Sequence, residues 1–373
     1  MARPLIADID LDALRHNYCL ARDLAPHSRA IAVLKADAYG HGLVPCARAL
    51  AGVAPALAGV APALAVACIE EAETLRAAGI ETPIMLLEGF FEPAELERIE
   101  ALELWTAVHT AWQVDALLAY RPARPLTVWV KVDSGMHRLG FPPAQLAAQW
   151  ARLAAAGDRV RDLHLMSHFA TADSLDPGYF QCQLGMLNAL ASELGAPTCL
   201  ANSPATLAWP EAHGAWNRPG VMLYGSDPLE SANEASRGLA PVMTLRSEII
   251  ALRDLEAGEP VGYGGRWRAS RPSRIAVVAC GYGDGYDRHA EDGTPVLVDG
   301  QRCRIAGKVS MDMLTVDVTD IPEARIGSEV VLWGQASNGA LLSVDEVARH
   351  CTTISYTLLT GVLPRVPRRY HGG

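Results

Sequence analysis

The sequence predicts an α/β protein in two parts: an N-terminal (β/α)8 TIM-type barrel over residues 10–226, then a C-terminal mostly-β domain over 236–373. Three observations predict it. Short apolar runs alternate with helical stretches about eight times before residue 226, as in parallel strands joined by crossover helices. A polar, aperiodic stretch at 226–238 then breaks the alternation and reads as a linker. Beyond it the helical period largely stops, and β-rich runs split by Gly, Pro and Asp take over.

The elements follow in order. Residues 5–11 alternate apolar and polar like a strand, and Asp10 is placed to cap a helix carrying Leu11, Leu14 and Tyr18 on one face. Because this strand precedes the barrel and needs a partner, residues 1–9 are expected to join the C-terminal domain. The run Ile-Ala-Val-Leu at 31–34 reads as a buried parallel strand, with a tight loop at Gly40 and Gly42 and a helix over 43–51. Strands are then expected at 63–67, 83–87, 102–108, 126–132, 162–168, 198–200 and 216–218. Helices alternate with them at 70–78, 93–101, 112–120, 143–156 and 181–194. In the second domain β runs fall at 242–252, 275–279, 294–298, 303–305, 314–318 and 328–332, with one late helix at 344–351. One segment is irregular: A-G-V-A-P-A-L occurs at 51–57 and again at 58–64. Two seven-residue copies are too few and too short for a solenoid, so the second reads as an inserted surface loop.

Composition narrows the function. At 373 residues the chain can bury two cores, and half its residues are apolar. A net charge of -10 argues against nucleic acid or an anionic membrane as partner. Residues 1–10 lack a basic segment followed by an apolar one, and no apolar run is long enough to cross a bilayer. The eight cysteines form no C-x-x-C pair and sit mostly in apolar surroundings, the pattern of reduced thiols in a cytoplasmic protein without a metal site.

A barrel of this kind places its site at the C-terminal ends of its strands. Lys35 ends the first barrel strand, and Tyr39 lies one helical turn beyond it. Lys131 lies inside an apolar strand with Arg138 in the loop after it; His168 and Asp173 follow the next strand. Asn202 and Ser203 precede Pro204, and Arg218 and Gly220 follow the last strand. Desolvation lowers a lysine's pKa and makes its amine a usable nucleophile or base. Asn-Ser-Pro is a helix start whose free N–H groups suit an anion. A phosphate seat and a strand-end lysine together fit pyridoxal 5'-phosphate held as a Schiff base. Taken singly, each feature also has a plain reading: Asn-Ser-Pro merely starts a helix, His41 is a loop residue, Lys131 is structural, and Tyr286, Tyr370 and most tryptophans pack.

The motifs A-V-L-K-A-D-A-Y-G-H-G, K-V-D-S-G-M-H-R-L-G, S-H-F-A-T-A-D, N-R-P-G-V-M-L-Y-G, V-G-Y-G-G and V-S-M-D-M occur in that order over nearly the whole chain. Together they resemble alanine racemase, a fold-type III pyridoxal phosphate enzyme. That resemblance implies the following roles. Lys35 carries the cofactor and acts as one of two acid/bases; Tyr263, reaching in from the partner subunit of a homodimer, is the other. Tyr39, Asn202, Ser203, Gly220, Val221 and Tyr356 hold the phosphate end. Arg138 contacts the phenolic oxygen and the substrate, Arg218 faces the pyridine nitrogen, and His168 links Arg218 to Tyr263. Met311 and Asp312 bind substrate, its carboxylate going to the Met311 backbone; Asp173, Tyr282 and Arg288 line the corridor by which it enters. Lys131 resembles a position that is carbamylated in many members. The tandem repeat departs from the family pattern, far from every motif. Trp267 stands where the family has a smaller aromatic.

The resemblance implies interconversion of L- and D-alanine by two bases on opposite faces of Cα. A racemase of broader specificity, acting on serine or lysine, is the nearest alternative. A non-catalytic carrier of the cofactor and a fold-type III decarboxylase are others. The C-terminal domain with its V-G-Y-G speaks against the carrier; V-G-Y-G and the chain's shortness disfavour the decarboxylase.

Overall fold

The computed structural model describes residues 3–51, 63–174 and 176–372. Most of the tandem repeat, residues 52–62, lies outside the described residues. Its ends are an α-helix, Leu43–Ala51, and a strand that begins at Ala63. The chain divides into two compact units. The described residues of Leu14–Ala38 and Gly42–Leu239 make a barrel unit, and those of Met1–Ala13, Tyr39–His41 and Ala240–Gly373 make a β unit.

The first strand, β1 (Ile6–Asp10), belongs to the β unit. The barrel then runs β2 (Arg29–Val33), β3 (Ala63–Val66), β4 (Ile84–Leu86) and β5 (Leu104–Val108). It continues β6 (Leu126–Lys131), β7 (Val160–Met166), β8 (Thr198–Cys199) and β9 (Trp216–Asn217). All eight are parallel to their neighbours, and β9 closes on β2. Parallel strands covered on both sides need apolar residues at every position, and β3 and β6 are buried throughout. Trp129 fills the interior. It is fully buried, stacks on His164 across the β6–β7 pair at 4.2 Å, and meets Trp105 and Trp216. Burying such a ring contributes roughly 3 kcal/mol.

Two strand expectations shift. The strand expected at 102–108 starts at Leu104, because Glu103 takes a left-handed φ of 51°. The strand expected at 162–168 starts at Val160 and ends at Met166. Its early residues Arg161 and Asp162 are exposed, which hides the start from an apolar pattern and leaves His168 in the following loop.

The β unit adds β10 (Met243–Leu255), β11 (Pro260–Val261), β12 (Trp267–Arg268) and β13 (Ser273–Val278). Next come β14 (Pro295–Val298), β15 (Gln301–Ile305) and β16 (Leu314–Asp317). The last are β17 (Glu329–Gln335), β18 (Leu341–Leu342) and β19 (Arg368–His371). Nine strands form one sheet in the order β18-β17-β14-β15-β16-β13-β10-β1-β19. β1 pairs antiparallel with β10 and parallel with β19, and the Asp8 carboxylate binds Arg246 and Arg369. Besides the helix Val344–His350, a second one, Ser355–Gly361, was not expected. Its polar and β-branched start carries little helix propensity, and burial of Leu358 and Leu359 sets it instead. No helix among the described residues is long and apolar enough to cross a membrane.

Candidate active site

The chain leaves β2 through Leu34 and enters a tight turn, Lys35–Gly40. The residues leading into the expected tight loop at Gly40 and Gly42 form a left-handed helical turn: Ala36, Asp37, Ala38 and Tyr39 have φ between 51° and 54°. None of the four is glycine. Left-handed backbone costs about 1–2 kcal/mol per such residue, so the turn must be held from outside. The Glu71 carboxylate accepts the Ala36 N–H at 2.7 Å on one oxygen and the Ala67 N–H at 2.8 Å on the other. Asp37 accepts Leu43 N–H at 2.7 Å on its side chain and Gly42 N–H at 2.9 Å on its carbonyl. Gly40 ends the turn at a φ of 79°, where a Cβ would fall 2.2 Å from the Leu359 carbonyl oxygen. Tyr39 packs its ring on Tyr356, with centroids 5.9 Å apart. His41 is buried, its Nδ1 2.9 Å from the Tyr39 carbonyl oxygen.

Within the barrel unit the strand ends bring several cations into one electrostatic cluster. Burial pushes the Lys35 amine below its usual range; Glu88 opposes this, and Arg138 adds to it. Lys131, only 9% exposed, is pushed down to about 8 by burial and then by Arg218 and Arg138. Burial, reinforced by Arg218 and Arg138, drives His168 well below the usual imidazole range, so its ring is neutral. Among the described residues no carboxylate forms an ion pair with Lys35, Lys131, Arg138 or Arg218. Such a set is built to receive an anion.

Arg218 is buried, and its guanidinium donates to the carbonyl oxygens of Ser167 at 2.6 Å and of Cys199. Among the described residues no hydrogen bond joins it to His168, so the expected link is not present as a bond; Arg218 acts on His168 by disfavouring its protonation. His168 instead lies 3.5 Å from the Asn202 side-chain nitrogen. Lys131, Arg138 and His168 line one small cavity. The loop carrying Arg138 is shaped by Asp133, which accepts Gly135 N–H at 2.9 Å and His137 N–H at 3.0 Å.

After β8, the Asn202 side chain caps the helix Ser203–Ala208, accepting the Ala205 N–H at 3.2 Å. The buried Ser203 Oγ accepts N–H groups from Gly220 at 2.8 Å and Met222 at 3.3 Å. With both lone pairs used, the hydroxyl has its proton left to donate. The N–H groups of Ser203 and Val221 each open a helical turn and so have no acceptor within it.

The β unit carries a second set. Tyr263 starts a short turn, Tyr263–Gly265, and is 68% exposed. Tyr282 lies under the Arg288 guanidinium at 5.8 Å. The segment around Met311 and Asp312 packs on the Tyr282 turn: Gly283 N–H donates to the Met311 carbonyl at 2.7 Å, and Tyr282 N–H to Ser310 at 3.0 Å. Asp173, in the barrel unit, is exposed, and its main-chain oxygen accepts the Glu230 N–H at 3.0 Å.

Sequence reasoning missed two supports. Glu71 stands in an ordinary Glu-Glu pair at a helix start; its position just after a barrel strand was the only signal. Gln183 is buried and accepts Ala170 N–H at 3.0 Å while donating to Ser134 Oγ at 3.0 Å, tying together the loops after β6 and β7. Nothing in the sequence around it marks that role.

Comparison with known proteins gives a single picture. The family model described as "Alanine racemase, N-terminal domain" matches residues 9–228, and the one described as "Alanine racemase, C-terminal domain" matches 242–370. An alanine racemase of Chromohalobacter salexigens is 72% identical over 370 residues, covering 99% of this chain and 98% of that one. A catabolic alanine racemase of Pseudomonas aeruginosa is 52% identical over 370 residues, covering 99% of each chain. The crystal structure of the biosynthetic alanine racemase from Pseudomonas aeruginosa superimposes with a TM-score of 0.92 at 50% identity, covering 99% of this chain and 100% of that one.

Proposed function

The chain belongs to the alanine racemase family, a family of isomerases, and on that premise we propose that it interconverts L- and D-alanine with pyridoxal 5'-phosphate by a two-base mechanism. The observation that carries this reading is Lys35: a desolvated amine at a barrel strand end, among cations that no carboxylate pairs among the described residues. The donor set fits the cofactor. Ser203 Oγ–H and the N–H groups of Ser203 and Val221 would hold the phosphate, with Gly220, Asn202, Tyr39 and Tyr356 around it. Arg138 takes the phenolic oxygen, and Arg218 the ring nitrogen. When bound, the cofactor supplies an electron sink that lowers the cost of losing the Cα proton.

The protein's own groups then move that proton. Racemisation needs one group on each face of Cα. Lys35 Nζ serves one face, and the hydroxyl of Tyr263 from the partner subunit of a homodimer serves the other. A tyrosine works as a base near neutral pH only where cations favour its phenolate, since the reference pKa is about 10. Arg218, which keeps its proton, does not pass it to the cofactor's ring nitrogen. His168, held neutral, is proposed to reach that tyrosine with its ring. Met311 N–H and Asp312 hold the substrate, with Arg138 on its carboxylate, and Asp173, Tyr282 and Arg288 border its route in.

Lys131 is proposed to be carbamylated. Its neutral amine attacks carbon dioxide, an N–C bond forms and a proton leaves, and the resulting anion gives Arg138 a partner. The lowered pKa of Lys131, and the absence among the described residues of a carboxylate ion-paired with it, support this. All eight cysteines are free, in keeping with the proposed cytoplasmic setting. The two-way reaction serves D-alanine supply for peptidoglycan and L-alanine catabolism alike. The test is to incubate the protein with each alanine enantiomer, serine and lysine and to follow formation of the mirror form. Alanine is expected to turn over fastest; faster turnover of lysine or serine would establish the broad-specificity alternative.

A further inference from the structure

We infer that Arg3, Arg365 and Asp284 form a clamp that positions the Met311–Asp312 backbone, making Arg3 a positioning residue for the substrate carboxylate. This rests on the proposed role of the Met311 N–H. Asp284 is a buried carboxylate, 1% exposed at its side chain. It receives two hydrogen bonds from Arg3, at 2.5 and 2.8 Å, and its ion pair with Arg365 Nε is 2.8 Å long. It also accepts the Gly281 N–H at 2.9 Å, which fixes its own turn. Both arginines reach onward to one residue. Arg3 Nη2 donates to the Asp312 carbonyl at 2.8 Å, and Arg365 Nη2 to the Asp312 side chain at 2.6 Å.

One buried charge therefore orders two cations, and those two hold Asp312 by its main chain and its side chain. The fit is close. A Cβ on Gly281 would lie 2.3 Å from the Ser310 carbonyl oxygen, and one on Gly283 would lie 2.9 Å from that of Met311. Among the described residues no acceptor takes the Met311 or Asp312 N–H. The segment is thus fixed through its carbonyls and one side chain, and two adjacent donors are left open. That arrangement suits a carboxylate. An uncharged substrate group would not repay fixing two donors side by side.

The experiment uses the holoenzyme of Arg3→Ala, with Arg3→Lys as the conservative variant. KM for L-alanine and for D-alanine is expected to rise about ten-fold alike, since both enantiomers present the same carboxylate, with kcat changed by less than about two-fold. The visible absorbance of bound cofactor is expected to stay as in wild type, and Arg3→Lys to recover part of the loss. Amide exchange at Ser310, Tyr282 and Gly283, whose N–H groups are bonded within this turn, is expected to accelerate in Arg3→Ala and not elsewhere, as followed by mass spectrometry. Should Arg3→Ala fold poorly, Arg365→Lys carries the same two readouts. Unchanged KM and unchanged exchange in a variant whose wild type racemises alanine would overturn the clamp alone. A wild type that leaves alanine untouched would overturn the proposed function, and the clamp's substrate role with it.

Discussion

Replacing Glu71 by glutamine tests whether the left-handed turn beside Lys35 is held from outside. Four non-glycine residues with φ near 50° carry a combined cost of roughly 4–8 kcal/mol. Glu71 answers with two charge-assisted hydrogen bonds of 2.7 and 2.8 Å, each contributing about 1.5–3 kcal/mol. Glutamine keeps one acceptor oxygen and turns an NH2 toward the other backbone N–H. One bond goes, and a donor faces a donor. Because Ala36 is exposed, water recovers part of the loss, leaving about 2–3 kcal/mol against the native turn. If the turn is the only conformation that presents Lys35 correctly, its population falls about 30- to 150-fold. Steady-state kinetics in both directions is the assay. We expect kcat to fall by a similar factor for L- and D-alanine, since Lys35 serves both. Glu71→Asp, which keeps both acceptors, is expected to fall less, and Glu70→Gln on the exposed neighbour not at all. A folded Glu71→Gln enzyme with kcat within two-fold of wild type would refute the reasoning.

Four further outcomes are expected. Tyr263→Phe should slow Cα proton exchange from L-alanine more than from D-alanine, and mixing inactive Lys35→Ala and Tyr263→Phe subunits should restore activity; symmetric exchange counts against the tyrosine base, and no recovery in proven heterodimers places the site in one chain. Isotopically labelled bicarbonate should give a carbamate carbon signal that Lys131→Arg removes; a signal that survives the substitution lies elsewhere. Because the folded state holds the His168 pKa well below 6.5, the unfolded chain takes up a proton that the folded one resists. Stability is therefore complete above about pH 6.5 and declines as the pH drops below it. Urea midpoints at pH 5 and 7.5 should lie closer together in His168→Asn than in wild type, and an equal gap would assign the acid loss to other groups.

The barrel was legible because buried parallel strands are mostly apolar, as β3 is throughout and β6 is apart from Thr127 and Lys131. Where a strand begins in solvent, as β7 does at Arg161 and Asp162, the same rule misplaces its start. Lys35 and Lys131 stood out because a lysine closing an apolar run is chemically out of place. The handedness of the turn after Lys35 was not legible. Ala-Asp-Ala-Tyr has no glycine to announce it, and it is imposed by Glu71 from another element. The clamp on Asp312 was equally hidden, since Arg3 and Asp284 stand 281 positions apart and neither has a local signature. What is set by local pattern could be read, and what is set by tertiary hydrogen bonds could not.

Lys35, and not the more deeply buried Lys131, is proposed to hold the cofactor. Borohydride reduction of the holoenzyme followed by peptide mapping tests it directly. One stable adduct on Lys35 is expected, with loss of alanine racemisation in step with its formation and no visible chromophore in Lys35→Ala. An adduct on Lys131, or a reducible adduct that persists in Lys35→Ala, would contradict it.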